Sequence, residues 1–120
     1  MRVRVIAFYE DHWMPPGTDH AQWDHLCRAF GAELQMIRSW EEADIPPNAR
    51  VILIDEAGEE SPPVLTGETV FVFGRSAQDL VTAIPELEWD TSYVIKTPNA
   101  VPMFGVSAAA IVLDRYLGAR

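Results

Sequence analysis

One cysteine, Cys27, is all that this chain of 120 residues contains. An internal disulfide is therefore excluded, and the fold must be held by its core. Basic residues are scarce as well: nine Lys and Arg stand against eighteen Asp and Glu, a formal net charge of −9. Proteins that hold nucleic acid do so largely by neutralising phosphates with Lys and Arg. Any RNA-binding surface here must then be local, or be supplied by a basic protein partner. Arg2, Arg4, Arg28, Arg38, Arg50, Arg75, Lys96, Arg115 and Arg120 are scattered along the chain, so no basic run marks a binding strip. Apolar runs are short, none nearing the roughly 20 residues of a membrane span. The segment Met1-Arg2-Val3-Arg4-Val5 lacks the apolar stretch and small-residue cleavage site of a signal peptide. These absences point to a cytoplasmic protein without membrane contact.

What is present is the balance of a folded domain: 48% hydrophobic and 22% charged residues, with no repeats or low-complexity tracts. The length suits one domain over residues 1–120. Val3 to Tyr9, Leu34 to Ile37, Val51 to Ile54, Val70 to Phe73 and Tyr93 to Ile95 read as strands. The continuous apolar runs among them suit strands covered on both faces. Pro15-Pro16-Gly17 breaks the chain before a helix that Thr18 or Asp19 is expected to cap. In that helix Trp23, Leu26, Cys27 and Phe30 share one apolar stripe, and Gly31 ends it. Glu41 to Asp44 forms a brief helix or turn, and Gly58 through Gly67 reads as a loop. A second stripe, Ala77, Leu80, Val81 and Ile84, is stopped by Pro85. Val106, Ala109, Ala110, Leu113 and Leu117 give the inner face of a last helix, with Ile111 and Val112 as additional apolar surface. This alternation predicts an α/β fold with a mostly parallel sheet flanked by helices.

The candidate chemistry is sparse. Cys27 falls on the apolar stripe and reads as a core residue rather than a reactive thiol. His20 and Asp24 share a helix face, but with His12 and His25 they complete no recognised metal-ligand spacing, so no metal is assigned. His25 has the side chain type for proton removal near neutral pH; its alternative is a solvated helix position. Ser107 has no base-bearing motif beside it and reads as a packing or capping residue. Arg75 and Lys96 stand at strand ends, where an α/β protein places its ligand.

Three blocks in order carry a family resemblance. They are Pro15-Pro16-Gly17-Thr18 with Leu26-Cys27-Arg28-Ala29-Phe30-Gly31-Ala32-Glu33-Leu34, then Glu68-Thr69-Val70-Phe71-Val72-Phe73-Gly74, then Pro102 to Leu113. Together they resemble the small tRNA 2′-O-methyltransferases of the SPOUT superfamily, S-adenosylmethionine-dependent enzymes with a carboxyl-terminal trefoil knot. The resemblance implies that the segment from about Pro98 to Arg120 threads a loop around Gly74 to Ile84. It also implies a homodimer built on the knot helices and a cofactor site at Phe73, Gly74, Ile95, Thr97, Met103, Gly105 and Val106. Arg75 and His25 are then the groups placed near an acceptor hydroxyl. This chain departs from the family at polar positions. Arg75-Ser76-Ala77 follows Gly74 where an acid is usual, Gly105 stands where the family has Asn, and the family's first-helix Arg aligns near Asp24 or His25.

Gly74 and Gly105 permit close backbone approach to a ligand, or else serve tight turns alone. Three readings follow: a divergent ribose 2′-O-methyltransferase acting on tRNA or rRNA; a SPOUT-like module that binds the cofactor or a protein partner without catalysis; and an unrelated flavodoxin-like or receiver-like domain.

Overall fold

The structure is a computed structural model, and it describes residues 2–10, 15, 17–65, 67–74, 89–99 and 103–119. Five strands are seen: β1 (Arg2–Phe8), β2 (Glu33–Ile37), β3 (Arg50–Glu59), β4 (Glu68–Phe73) and β5 (Thr91–Tyr93). Among the described residues two helices accompany them, α1 (Thr18–Phe30) and α2 (Gly105–Leu117), with one 3₁₀ turn at Trp40–Glu42. The sheet order is β2-β1-β4-β3-β5, and every pairing is parallel. The expected α/β class with a parallel sheet is therefore present. The helical stripe from Ala77 to Ile84 lies outside the described residues, as does much of the loop expected to be threaded, Gly74 to Ile84. Among the described residues no helix is long and apolar enough to cross a membrane.

Two-sided burial explains why β1 and β4 are nearly all apolar. Val3, Val5 and Ala7 of β1 and Phe71 and Phe73 of β4 point to one face, where Trp23 and Cys27 of α1 and Ala109, Val112 and Leu113 of α2 cover them. Ile6, Phe8, Val70 and Val72 point to the other face, against Ile37, Val51 and Leu53 and beneath Trp40, Ala43 and Ile45. Alternate residues of a strand face opposite ways, so each central strand needs apolar side chains throughout.

Several local expectations change. Neither Thr18 nor Asp19 caps α1: its cap is Gly17, left-handed at φ 85°, without a side-chain hydrogen bond. Asp19 is instead buried and binds the end of β1. The buried side of α2 is Ala108, Ala109, Val112 and Leu113. Val112, read from sequence as surface beyond the inner stripe, is fully buried within its own chain. That removes part of the apolar excess on which the dimer expectation stood. β3 continues to Glu59 where a loop was expected from Gly58, and the Val94 N–H donates to the Glu59 carbonyl at 2.9 Å. Gly58 allows this: a Cβ there would meet the Tyr93 backbone at 2.6 Å.

The amino edge of the sheet is closed by charge. Arg2 bridges Glu33 (2.5 Å) and Glu68 (3.3 Å), while Arg4 bridges Glu33 (3.0 Å) and Asp44 (3.3 Å). Hydrogen bonds from Arg2 and then Arg4 hold the Glu33 carboxyl below its ordinary value of 4.5. A group whose folded pKa is depressed contributes stability that is present above the unfolded value and lost as pH falls through the folded one. Glu33→Gln should therefore flatten the fall of melting temperature with pH below about 4.5, relative to wild type. Thermal melts across that range check it, and an unchanged slope would contradict the assignment.

Cys27 is 1% exposed, and burial followed by the nearby Asp24 charge pushes its thiol up to about 11. Thiolate is the reactive form. Ellman's reagent at pH 8 is thus expected to label the denatured protein at once and the native protein only as fast as it opens.

Candidate functional site

In open parallel sheets ligands bind outside the carboxyl ends of the strands, at the point where the connections diverge. Here that point lies between β1, whose helix leads to β2, and β4, on the other side of β1. Gly74 directly follows β4, and Gly105 opens α2. A Cβ on Gly105 would sit 3.4 Å from the Gly74 carbonyl oxygen and 3.2 Å from Cζ2 of Trp23. Two segments expected to hold a cofactor, the end of β4 at Gly74 and the start of α2 at Gly105, therefore lie close together, with the Trp23 indole beside them. Trp23 stacks in turn on Phe73, with ring centroids 5.3 Å apart and planes tilted by 53°. The absence of a side chain at Gly105 is what keeps this approach open. The surroundings of Gly105 are thus the Trp23 indole and the Gly74 backbone carbonyl.

The other expected site residues divide. Phe73 is 1% exposed and belongs to the core, so its contribution is to seat Trp23. Ile95 and Val106 are half-buried and pack on the same core cluster. Met103 is half-buried two residues before α2, and Thr97 is exposed, its hydroxyl donating to the Asn99 carbonyl at 2.6 Å in a turn. Lys96 is exposed and paired with Glu60 at 2.9 Å. His25 is also exposed. Two residues along a helix is a rotation of about 200°, so His25 faces away from Trp23 and is not brought to Gly105 within one chain. Arg75 lies outside the described residues.

Groups not singled out from sequence also gather at this edge. Glu10 follows β1 and is 5% exposed; Asp19 is 2% exposed. The Asp19 carboxylate accepts the Glu10 backbone N–H at 2.7 Å and the His20 N–H at 2.8 Å. Burying a carboxylate is costly unless hydrogen bonds replace its water, and these two backbone donors tie the start of α1 to the end of β1. Beside them, the Arg38 guanidinium lies 4.1 Å from the centroid of the Tyr9 ring. The signal available in the sequence was the polar run Tyr9-Glu10-Asp11 breaking off an apolar strand. Asp19 was hidden because an acid two residues after glycine reads as a helix cap.

Among the described residues no group of three His, Cys, Asp or Glu is arranged to hold a metal. Compared with known proteins, the chain matches no protein-family model and no curated sequence.

Proposed function

We propose that this chain is a divergent SPOUT-type domain that holds S-adenosylmethionine in the cradle between Gly74 and Gly105 and directs its methyl group to a ribose 2′-hydroxyl of RNA in the cytoplasm. The closeness of the Gly74 carbonyl to the start of α2 carries the proposal, because two separate segments of the resemblance converge there. The strand order adds to it. Flavodoxin-like sheets run 2-1-3-4-5, whereas this one runs 2-1-4-3-5, which speaks against the flavodoxin-like alternative. The trefoil knot is part of the proposal and concerns the segments around 74–84 and 98–120.

When bound, the cofactor supplies an electrophilic methyl on a sulfonium. The chain's own task is then to position and to exclude water. Gly74 and Gly105 give backbone approach, Trp23 supplies a rigid apolar floor, Val106 flanks it from the first turn of α2, and Ile95 and Met103 flank it from the loop between β5 and α2. Thr97 is assigned to that loop's turn. Arg75 is the proposed group beside the acceptor hydroxyl. His25, on the outer face of α1, serves there only if a second subunit presents it, so the catalytic form is proposed to be a homodimer.

A second reading, cofactor or partner binding without catalysis, is favoured by two observations: His25 points away from the cradle, and the net charge is −9. Like charge repels RNA over about 10 Å at ordinary salt, so transfer would then need a basic protein partner. Tritium transfer from labelled S-adenosylmethionine to bulk tRNA separates the readings. Transfer by the purified dimer supports the first, cofactor binding without transfer supports the second, and neither binding nor transfer overturns the first reading and the cofactor-binding form of the second. Light scattering at micromolar concentration tests assembly; a monomer contradicts the shared site.

A further inference from the structure

We infer that the outer edge of β2 is an interface for a second copy of this chain, which adds its own β2 antiparallel and continues the sheet across a twofold axis at Gln35. The sheet order places β2 and β5 at the two edges. An edge presents unpaired N–H and C=O groups, and proteins blunt it with short strands, bulges, charge or proline. β5 is three residues long and meets a register shift in β3. β2 has no such device. After Glu33 its residues are uncharged, Leu34-Gln35-Met36-Ile37, and it pairs with β1 without a break from Arg4↔Glu33 to Phe8↔Ile37.

The backbone groups of β2 alternate in direction. The Tyr9 N–H donates to the Ile37 carbonyl at 3.0 Å, so Ile37, and with it Gln35 and Glu33, turns its groups toward β1. Leu34 and Met36 turn both N–H and C=O outward, and among the described residues nothing pairs with them. A copy brought in antiparallel about Gln35 sets Leu34 opposite the partner's Met36. Both positions point outward, so each such pair exchanges N–H and C=O, and every outward group of both strands is used. Leu34 and Met36 pair with Val5 and Ala7 of β1 and share their sheet face. Both side chains are half-buried, and across the axis they meet as apolar cross-strand pairs.

Charge selects a second copy as the occupant. At −9 the chain repels its own kind over most of its surface. At this edge the acids are already answered, Glu33 by Arg2 and Arg4 and Asp24 by Arg28 at 3.5 Å. Asp24 and Arg28 lie about a quarter turn from the buried stripe of Trp23 and Cys27. In the right-handed crossover that β1-α1-β2 units adopt, that side of α1 faces the outer edge of β2. Two copies of α1 related by the axis run antiparallel, so the acid of one helix approaches the base of the other.

The inference goes beyond the methyl-transfer reading. His25 stays on the outer face of α1, so this pairing presents it to no cradle. Sedimentation equilibrium at micromolar concentration tests the edge, with calorimetric titration of S-adenosylhomocysteine on the same proteins. Met36→Pro is the discriminating variant, because proline is tolerated where the N–H faces out of the sheet. It should stay folded by circular dichroism yet lose two intermolecular hydrogen bonds, raising the dimer dissociation constant at least about tenfold. Arg28→Glu should also weaken the dimer, and Asp24→Arg combined with Arg28→Glu should restore it. A monomeric wild type, or a dimer that persists in folded Met36→Pro, would overturn the edge whatever the cofactor result. A dimer that Met36→Pro dissociates, without cofactor heat from wild type, would keep the edge and overturn the cradle. Where Met36→Pro unfolds, amide exchange of wild type decides: the Leu34 and Met36 N–H groups should be protected at high concentration and exchange on dilution, and rapid exchange at both would overturn the edge.

Discussion

Gly58→Ala is expected to lower the melting temperature by roughly 10 °C or more. A Cβ at this position would lie 2.6 Å from the Tyr93 carbonyl carbon and 2.7 Å from the Tyr93 nitrogen. Both are backbone atoms of a strand paired to β3, so no side chain can rotate away. Overpacking of a core costs about 1–3 kcal/mol and more where the backbone must move. For a domain of this size each kcal/mol corresponds to roughly 3–5 °C. Gly67→Ala is the informative comparison. Gly67 is left-handed at φ 64°, and nothing lies within 4 Å of the place a Cβ would take, so alanine there costs only backbone strain of about 1 kcal/mol. Similar melting temperatures for the two variants would show that β3 does not lie on Tyr93 as described.

Trp23→Ala is expected to remove about 3–5 kcal/mol, a large share of the 5–15 kcal/mol typical of a whole domain. The indole is 3% exposed, stacks on Phe73 and touches the start of α2 at Gly105. Its loss leaves a cavity beside Gly105, so stability and, on the proposed reading, cofactor binding should fall together. Trp23→Phe keeps an aromatic floor and should retain most of both. Urea denaturation checks the first effect; a loss below about 1 kcal/mol would place Trp23 outside the core.

The sheet was legible because buried parallel strands must be apolar on both faces, and Val3 to Phe8 and Val70 to Phe73 are. Trp23 and Cys27 were legible as one stripe because only helical spacing brings them together. The path of β3 past Asp55 was not legible. Gly58 and the acids around it carry loop chemistry, and the reason for a strand there is a contact with Tyr93, some 35 residues on. On the inner face of α2, Ala109 and Leu113 are buried and Val106 and Leu117 pack on the core as expected, while Ala108 and Val112 join them and Ala110 does not, because the helix is apolar all round and tertiary contact, not pattern, selects among its alanines and valines. At the site, Gly74 and Gly105 were found through resemblance and lie close together. Glu10, Asp19 and the Tyr9–Arg38 stack depend on side chains meeting across elements, which linear spacing does not encode.

Calorimetric titration of S-adenosylhomocysteine into wild type, Gly105→Leu and Gly67→Ala tests the central claim most directly, with circular dichroism establishing that each protein is folded. Leucine at Gly105 projects against Trp23 and the Gly74 carbonyl, whereas Gly67 precedes β4 at the opposite edge of the sheet. The account predicts saturable binding by wild type and Gly67→Ala, and affinity at least about tenfold weaker, or 1.4 kcal/mol, in Gly105→Leu. Absence of binding by wild type, or equal binding by all three proteins, would contradict it.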